Sequence, residues 1–295
     1  MTDKNALAER KQTPSERFAL AVERQFSGEV GNLHFSPYEK TLAQHLFIKV
    51  DAAIAEAEAK RKEGFAPIVW ENVNMRKLAI DAVNRVQLGI DALIPGSVYP
   101  IAYFNGKTKK YDIDLRVGYR GELFYKVSAS VKPIRNVRIE LVYTTDEFTV
   151  YKAGVTSRLE GYDFKITHPF ARGELMGGFG YIEYEDEKDN VLVVLSKAEI
   201  EKFRGTAKNS AFWADWYEQM AYKTIVHRTM GKIIIDPAKI NVTAMAQVEA
   251  DGNRPMLPDE PAPASPDDPP LALPVEDATV DDAPDAAQTG EEEPF

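Results

Sequence analysis

The chain reads as an α+β protein, with helices flanking a small antiparallel sheet and a long disordered acidic tail at the C-terminus. Three observations predict this. Residues 1–75 are polar with helical signals, the apolar period shortens to two between 98 and 195, and helical signals return after Ser196. The order is helices, then strands, then helices, and not the alternation that a parallel sheet requires.

The elements follow in turn. A helix is expected over 39–63, where Val50, Ile54 and Ala57 recur at helical spacing and Gly64 and Pro67 end the pattern. A second, about 76–89, carries Leu78, Val83 and Val86. Gly89 and Pro95 open an extended region, and Asn105-Gly106 signals a hairpin turn. Tyr111, Ile113, Leu115, Val117 and Tyr119 alternate with Asp112, Asp114, Arg116, Gly118 and Arg120, the pattern of a half-buried strand. Val137, Ile139, Leu141 and Tyr143 predict another strand. Phe179–Tyr184 and Val191–Leu195 predict a hairpin around the acidic turn at 185–190. Ser196 and Glu199 form a capping box, and a long helix from Ser210 to Ile233 closes the body.

Charge is unevenly spread. The total is −10, but residues 249–295 hold fourteen acidic residues and one basic residue, Arg254. That leaves 35 basic and 32 acidic residues in 1–248, so a mildly basic body carries an acidic tail. The tail is rich in Pro, Ala and Asp and too poor in large apolar residues to offset the entropy of ordering. The expected organisation is a helical N-terminal segment for subunit packing (1–75), a core (76–248) and the tail (249–295). Val50 and Ile54 are expected in the subunit contact. Zero cysteines exclude disulfides and thiolate metal sites. With neither a signal peptide nor a membrane-spanning run, the expected location is the cytoplasm.

Two segments carry the functional signal. Gly118-Tyr119-Arg120-Gly121 reads first as a tight turn at a strand end. Its second reading is a nucleic-acid contact, with tyrosine stacking on a base and arginine on phosphate. On the closing helix, Phe212, Trp216, Met220 and Met230 form a stripe with Lys223 inside it. Lys223 either snorkels or pairs internally, or it meets a phosphate. Arg228 is nearer the edge of the stripe. Lysines and arginines from Lys107 to Arg138 interleave with Tyr103, Phe104, Tyr111, Tyr119 and Tyr125, which suits a single strand or a solvated sheet face. Gly173–Gly180 is glycine-rich but lacks the terminal Lys-Ser/Thr of a phosphate loop. The four histidines show no metal-binding spacing, and no cofactor is expected. A metal-dependent nuclease is the rival reading and would need clustered carboxylates.

Four segments in order, over roughly 76–235, resemble the RecT family of phage single-strand DNA annealing proteins. They are Gln87-Leu88-Gly89-Ile90-Asp91 with Tyr99-Pro100-Ile101-Ala102-Tyr103, then Arg116 to Gly121, and then the helix with Asn209-Ser210, Trp213 or Trp216, Met220-Ala221, Lys223-Thr224 and Arg228. The resemblance implies an ATP-independent annealing protein, not an enzyme, that forms rings or filaments and binds single strands in a positive groove. The residues expected to hold DNA are Tyr103, Arg116, Tyr119, Arg120, Lys208, Lys223 and Arg228. The expected partners are single-stranded DNA, the annealed duplex intermediate, further copies of the chain and a phage exonuclease. The chain ends Glu291-Glu292-Glu293-Pro294-Phe295, similar to the tail of bacterial single-stranded-DNA-binding proteins. Either these residues dock on the host proteins that read such tails, or the tail is an electrostatic shield for the basic groove.

Overall fold

The computed structural model describes residues 12–30, 35–155, 157–206, 213–214 and 216–253. The architecture is α+β, as expected. The N-terminal layer holds helices α1 (Pro14–Val30), α2 (Pro37–Ala59) and α3 (Met75–Gln87). A capping box starts α2: Ser36 N–H donates to Glu39, and Glu39 N–H donates to the Ser36 hydroxyl. Leu42, Leu46, Val50 and Ile54 follow at i+4 spacing and are all buried. Asn74 caps α3, whose buried residues lie almost all round it, so α3 is the central helix of this layer.

Strands β1 (Val98–Asn105) and β2 (Lys110–Val117) form an antiparallel hairpin, paired from Val98↔Val117 to Asn105↔Lys110. Leu115, Ile113 and Tyr111 of β2 join α1–α3 in one apolar cluster. Helix α4 (Tyr119–Ser128) follows directly. Strands β3 (Ile134–Tyr143), β6 (Leu175–Tyr184) and β7 (Val191–Ser196) make an antiparallel sheet in the order β3–β6–β7. Between β3 and β6 lies a separate hairpin, β4 (Glu147–Tyr151) with β5 (Gly161–Lys165). Phe148, Tyr162 and Phe164 of this hairpin pack around Phe179 on one face of the sheet. Helices α5 (Lys197–Thr206) and α6 (Tyr217–Met230) cover the other face through Ile200, Ala221 and Ile225. Helix α7 (Val242–Asn253) returns to the N-terminal layer, where Ala244 and Val248 are buried.

Glycines in β6 set how closely α6 approaches the sheet. A Cβ at Gly178 would lie 2.3 Å from Ile225 Cδ1, and one at Gly180 would lie 1.8 Å from Thr229 Oγ1. The run that failed as a phosphate loop is therefore a strand stripped of side chains where a helix lies against it.

Several expectations change. Tyr119 does not end a strand. β2 stops at Val117, Gly118 is the N-cap of α4, and Tyr119 is its first residue. The closing helix starts at Tyr217, because Trp216 has a non-helical φ of −131°. The expected start at Ser210, with Asn209 and Phe212, lies outside the described residues, as does Lys208. Val50 and Ile54 pack inside the subunit, in a core that crosses the 75/76 boundary, so they do not form an intersubunit contact. The expected start of the tail at 249 falls within α7, where Glu249 and Asp251 make ion pairs with Lys126 and Arg85. Residues 254–295, including Glu291 to Phe295, lie outside the described residues.

The tight seam between β6 and α6 is testable. Gly180→Ala should destabilise the fold by about 1–3 kcal/mol, the usual cost of overpacking a close-packed core. Urea unfolding followed by circular dichroism would read this, and an unchanged midpoint would show that α6 does not lie against β6 so closely.

Candidate nucleic-acid interface

The glycine-tyrosine-arginine-glycine segment is built by backbone packing. A Cβ at Gly118 would meet Gly96 O at 2.1 Å, and one at Gly121 would meet Ser97 O at 2.6 Å. Both glycines thus let the 95–97 loop lie against the first turn of α4, and Gly118 N–H donates to Ser97 O at 2.9 Å. The stem of Arg120 crosses Gly96, and its Nη1 donates to Pro95 O at 3.3 Å. Arg120 remains partly exposed.

The two signal segments meet in space. The Tyr119 ring contacts the Tyr222 ring edge-on, with centroids 6.2 Å apart, beside Val226 and Met230. Glu122 pairs with His227 at 2.6 Å. These two contacts run in the same chain direction, so the first turn of α4 lies beside the second turn of α6. Arg120 follows Tyr119 and Lys223 follows Tyr222 in the chain. Tyr119 itself is buried and cannot stack on a base without leaving the core. The buried face of α6 is Ala221, Ile225, Val226, Thr229 and Met230. Lys223 is half-buried and Arg228 is exposed, with its guanidinium 4.7 Å from the centroid of the Phe203 ring.

Burial opposes ionisation of Glu122, but the hydrogen bond from His227 and the charges of His227 and Lys126 outweigh it. The carboxyl is held below its ordinary value of 4.5. Lys126 is engaged twice, by Glu122 at 2.8 Å and by Glu249 at 3.4 Å, and Lys132 pairs with Asp189. These two basic residues are therefore already committed within the subunit.

The tip of the β1–β2 hairpin differs. Lys107, Lys109 and Lys110 are exposed, and none forms an ion pair among the described residues. Lys109 has φ +54°, the left-handed conformation that closes the turn, and Asn105 Oδ1 accepts from Lys107 N–H at 3.0 Å. Phe104 is exposed beside them and packs edge-on against Tyr111 at 5.3 Å, while Tyr103 is half-buried opposite Asp112. This tip was visible in sequence as part of the basic and aromatic run. Its freedom from ion pairing was not, because pairing depends on the fold.

Arg116 sits elsewhere, in a largely buried charge network. Its Nε lies 3.3 Å from Asp114, which Lys77 also approaches at 3.7 Å. Lys77 contacts Asp81 at 2.6 Å. Arg85, with a side chain only 1% exposed, donates to Leu115 O, Asp81 O and Asp251. Burial raises the pKa of Asp81, and the charge of Asp251 adds to this, against the opposing charges of Arg85 and Lys77. The carboxylates of Asp81, Asp114 and Asp251 all lie within 4.8 Å of one another. This is the carboxylate cluster that a nuclease reading would look for, and Lys77, Arg85 and Arg116 balance its charge.

The Glu122 contact gives a pH prediction. A depressed folded-state pKa means that the contact contributes fully above 4.5 and is lost as pH falls through the folded value. Glu122→Gln should therefore flatten part of the fall in unfolding free energy between about pH 5 and pH 3. Urea titrations across that range would measure it, and an unchanged acid slope would refute the assigned pairing.

No helix among the described residues is long and apolar enough to cross a membrane. Comparison with curated proteins finds no match. The model of the RecT family matches residues 78–257, more than half of the chain, from the first turns of α3 to just beyond α7. The match takes in both signal segments, and the chain belongs to the RecT family of single-strand DNA annealing proteins.

Proposed function

We propose that the protein binds single-stranded DNA across the hairpin tip, the first turn of α4 and the outer face of α6, and anneals it to a complementary strand. The observation that supports this reading is the Tyr119–Tyr222 contact, which packs the helix that carries Arg120 against the helix that carries Lys223. Arg120, Lys223 and Arg228 hold the phosphate backbone, with Lys107, Lys109 and Lys110 extending the track. Phe104, exposed at the tip, is a better stacking residue than the buried Tyr119. Tyr103, the residue before it, is the stacking candidate on the opposite face of the strand. Base pairing supplies specificity, so the protein needs no side chains that read base edges.

Annealing in this reading proceeds without ATP, driven by pairing once the strands' charge is neutralised. It takes place on a homo-oligomer, because one subunit covers only a few nucleotides and pairing needs a continuous track. The setting is phage recombination in the cytoplasm, and the protein is not a nuclease.

The test uses fluorescent oligonucleotides. Arg120→Ala and Lys223→Ala should each weaken binding several-fold and lower the slope of log K against log salt by about 0.7 for each phosphate that is no longer neutralised. Wild-type protein should speed duplex formation without nucleotide. Unchanged affinity and slope in folded variants would remove those residues from the site. Shortened product with magnesium would replace annealing by a nuclease. Deleting residues 254–295 separates the two roles of the tail. Tighter DNA binding marks a shield, whereas unchanged binding favours partner docking through Glu291, Glu292, Glu293, Pro294 and Phe295.

A further inference from the structure

Among the described residues three arginines lie over aromatic rings. Arg172 is 4.3 Å from the centroid of Tyr143, Arg204 is 5.9 Å from that of Tyr217, and Arg228 is 4.7 Å from that of Phe203. Arg172 also pairs with Asp146 at 2.6 Å, and Arg204 with Glu201 at 3.4 Å. Arg228 pairs with no carboxylate among the described residues. Glu199 feels its charge but is committed elsewhere. Hydrogen bonds from Ser196, at 2.9 Å from its N–H and 2.7 Å from its hydroxyl, hold the Glu199 carboxyl below its ordinary value of 4.5. The charges of Lys202 and Arg228 add to this. Arg228 is thus held by a ring while its charge stays unneutralised.

The ring beneath Arg228 is itself anchored. Phe203 lies on α5, half-buried, three residues after the buried Ile200, and packs against the cluster of Ile200, Ala221 and Ile225. Arg228 comes from α6, three residues after Ile225, and is exposed. Phe203 therefore rests on the core and carries the guanidinium at the solvent edge of the seam between α5 and α6. An aromatic ring attracts a guanidinium through its π electrons. Unlike a carboxylate, it leaves the positive charge whole and the fork of N–H donors open to an anion. Fixing the guanidinium in advance also removes the ordering cost that a free surface arginine meets on binding.

We propose that Phe203 is a positioning residue for DNA: its ring fixes the Arg228 guanidinium at the α5–α6 seam, where it grips a phosphate of the bound strand. This rests on the single-strand binding proposed above and extends that surface onto α5, which carries none of the residues assigned to it there. Lys202, exposed and one residue before the ring, adds positive charge on the same helix. A ring in this role contributes to binding only through Arg228. That separates it from a ring that stacks on bases and from one that merely supports the fold.

Affinity for a fluorescent single-stranded oligonucleotide, measured on the full-length protein, tests this. Phe203→Leu keeps an apolar side chain on the core and should weaken binding about two- to fivefold, the scale of a cation–π contact at an exposed site. The slope of log K against log salt should hold in that variant, because the arginine is still present, whereas Arg228→Ala should reduce its size by about 0.7. Phe203→Tyr, which retains a ring, should restore most of the affinity. In the Arg228→Ala background Phe203→Leu should cause no further loss. Circular dichroism checks that each variant is folded, and Phe203→Met takes the place of Phe203→Leu if the latter unfolds. An equal loss with and without Arg228 would show that the ring acts on bases or on the fold, and would overturn the proposal. So would unchanged binding in the folded ring-less variant. Wild-type affinity in Arg228→Ala, with Arg120→Ala weakened, would overturn this proposal alone and leave the rest of the DNA surface standing. No binding by the wild-type protein would overturn the single-strand reading beneath it.

Discussion

The close approach of α6 to β6 is the constraint on which the candidate interface depends. Gly178 and Gly180 leave no room for a side chain, so Ile225 and Thr229 settle directly on the strand. One face of α6 is thereby committed to the core and the opposite face is fixed in orientation, with His227 and Arg228 exposed and Lys223 half-buried. Helix α4 is carried on the same helix by Tyr119 against Tyr222 and Glu122 against His227. A glycine-rich stretch that in isolation evokes phosphate binding instead sets how closely α6 lies on the sheet.

The N-terminal layer is held by a second constraint, electrostatic in kind. Arg85 and Asp114 are almost wholly buried, which is costly unless each charge is paired and hydrogen-bonded. Asp81, Asp251, Lys77 and Arg116 supply that pairing. Asp251 comes from α7, 166 residues away from Arg85, so the network ties the end of the described chain to the central helix. It also explains why Arg116, which looks like a DNA contact by its place in the family pattern, faces a carboxylate and is only 15% exposed.

Local signals made much of the fold legible. Alternation predicted β2, β3 and the β6–β7 pair, and the Ser196/Glu199 box marked the start of α5, because periods and caps are encoded within a few residues. What depended on distant partners was not legible. The period of two runs on through Tyr119, and only the close packing of the 96–97 backbone on Gly118 and Gly121 turns the chain into a helix there. The helical stripe with Val50 and Ile54 was evident, but a stripe does not say whether it faces its own core or a neighbour. The acidic residues 249 and 251 resembled tail until Lys126 and Arg85 were found opposite them. At the site, the basic and aromatic composition was visible. Which lysines stay unpaired, and that the Tyr119 ring turns inward, follow from tertiary contacts alone.

The central claim is that the two segments singled out in sequence form one DNA-binding surface with the β1–β2 tip. Amide hydrogen exchange on the full-length protein, with and without a single-stranded oligonucleotide, tests it most directly. The account predicts slowed exchange together at 104–110, in the first turns of α4 and along the outer face of α6, with the acidic turn at 185–190 unchanged. Protection confined to the β4–β5 hairpin or to the charge network around Arg85, with α4 and α6 unaffected, would contradict it.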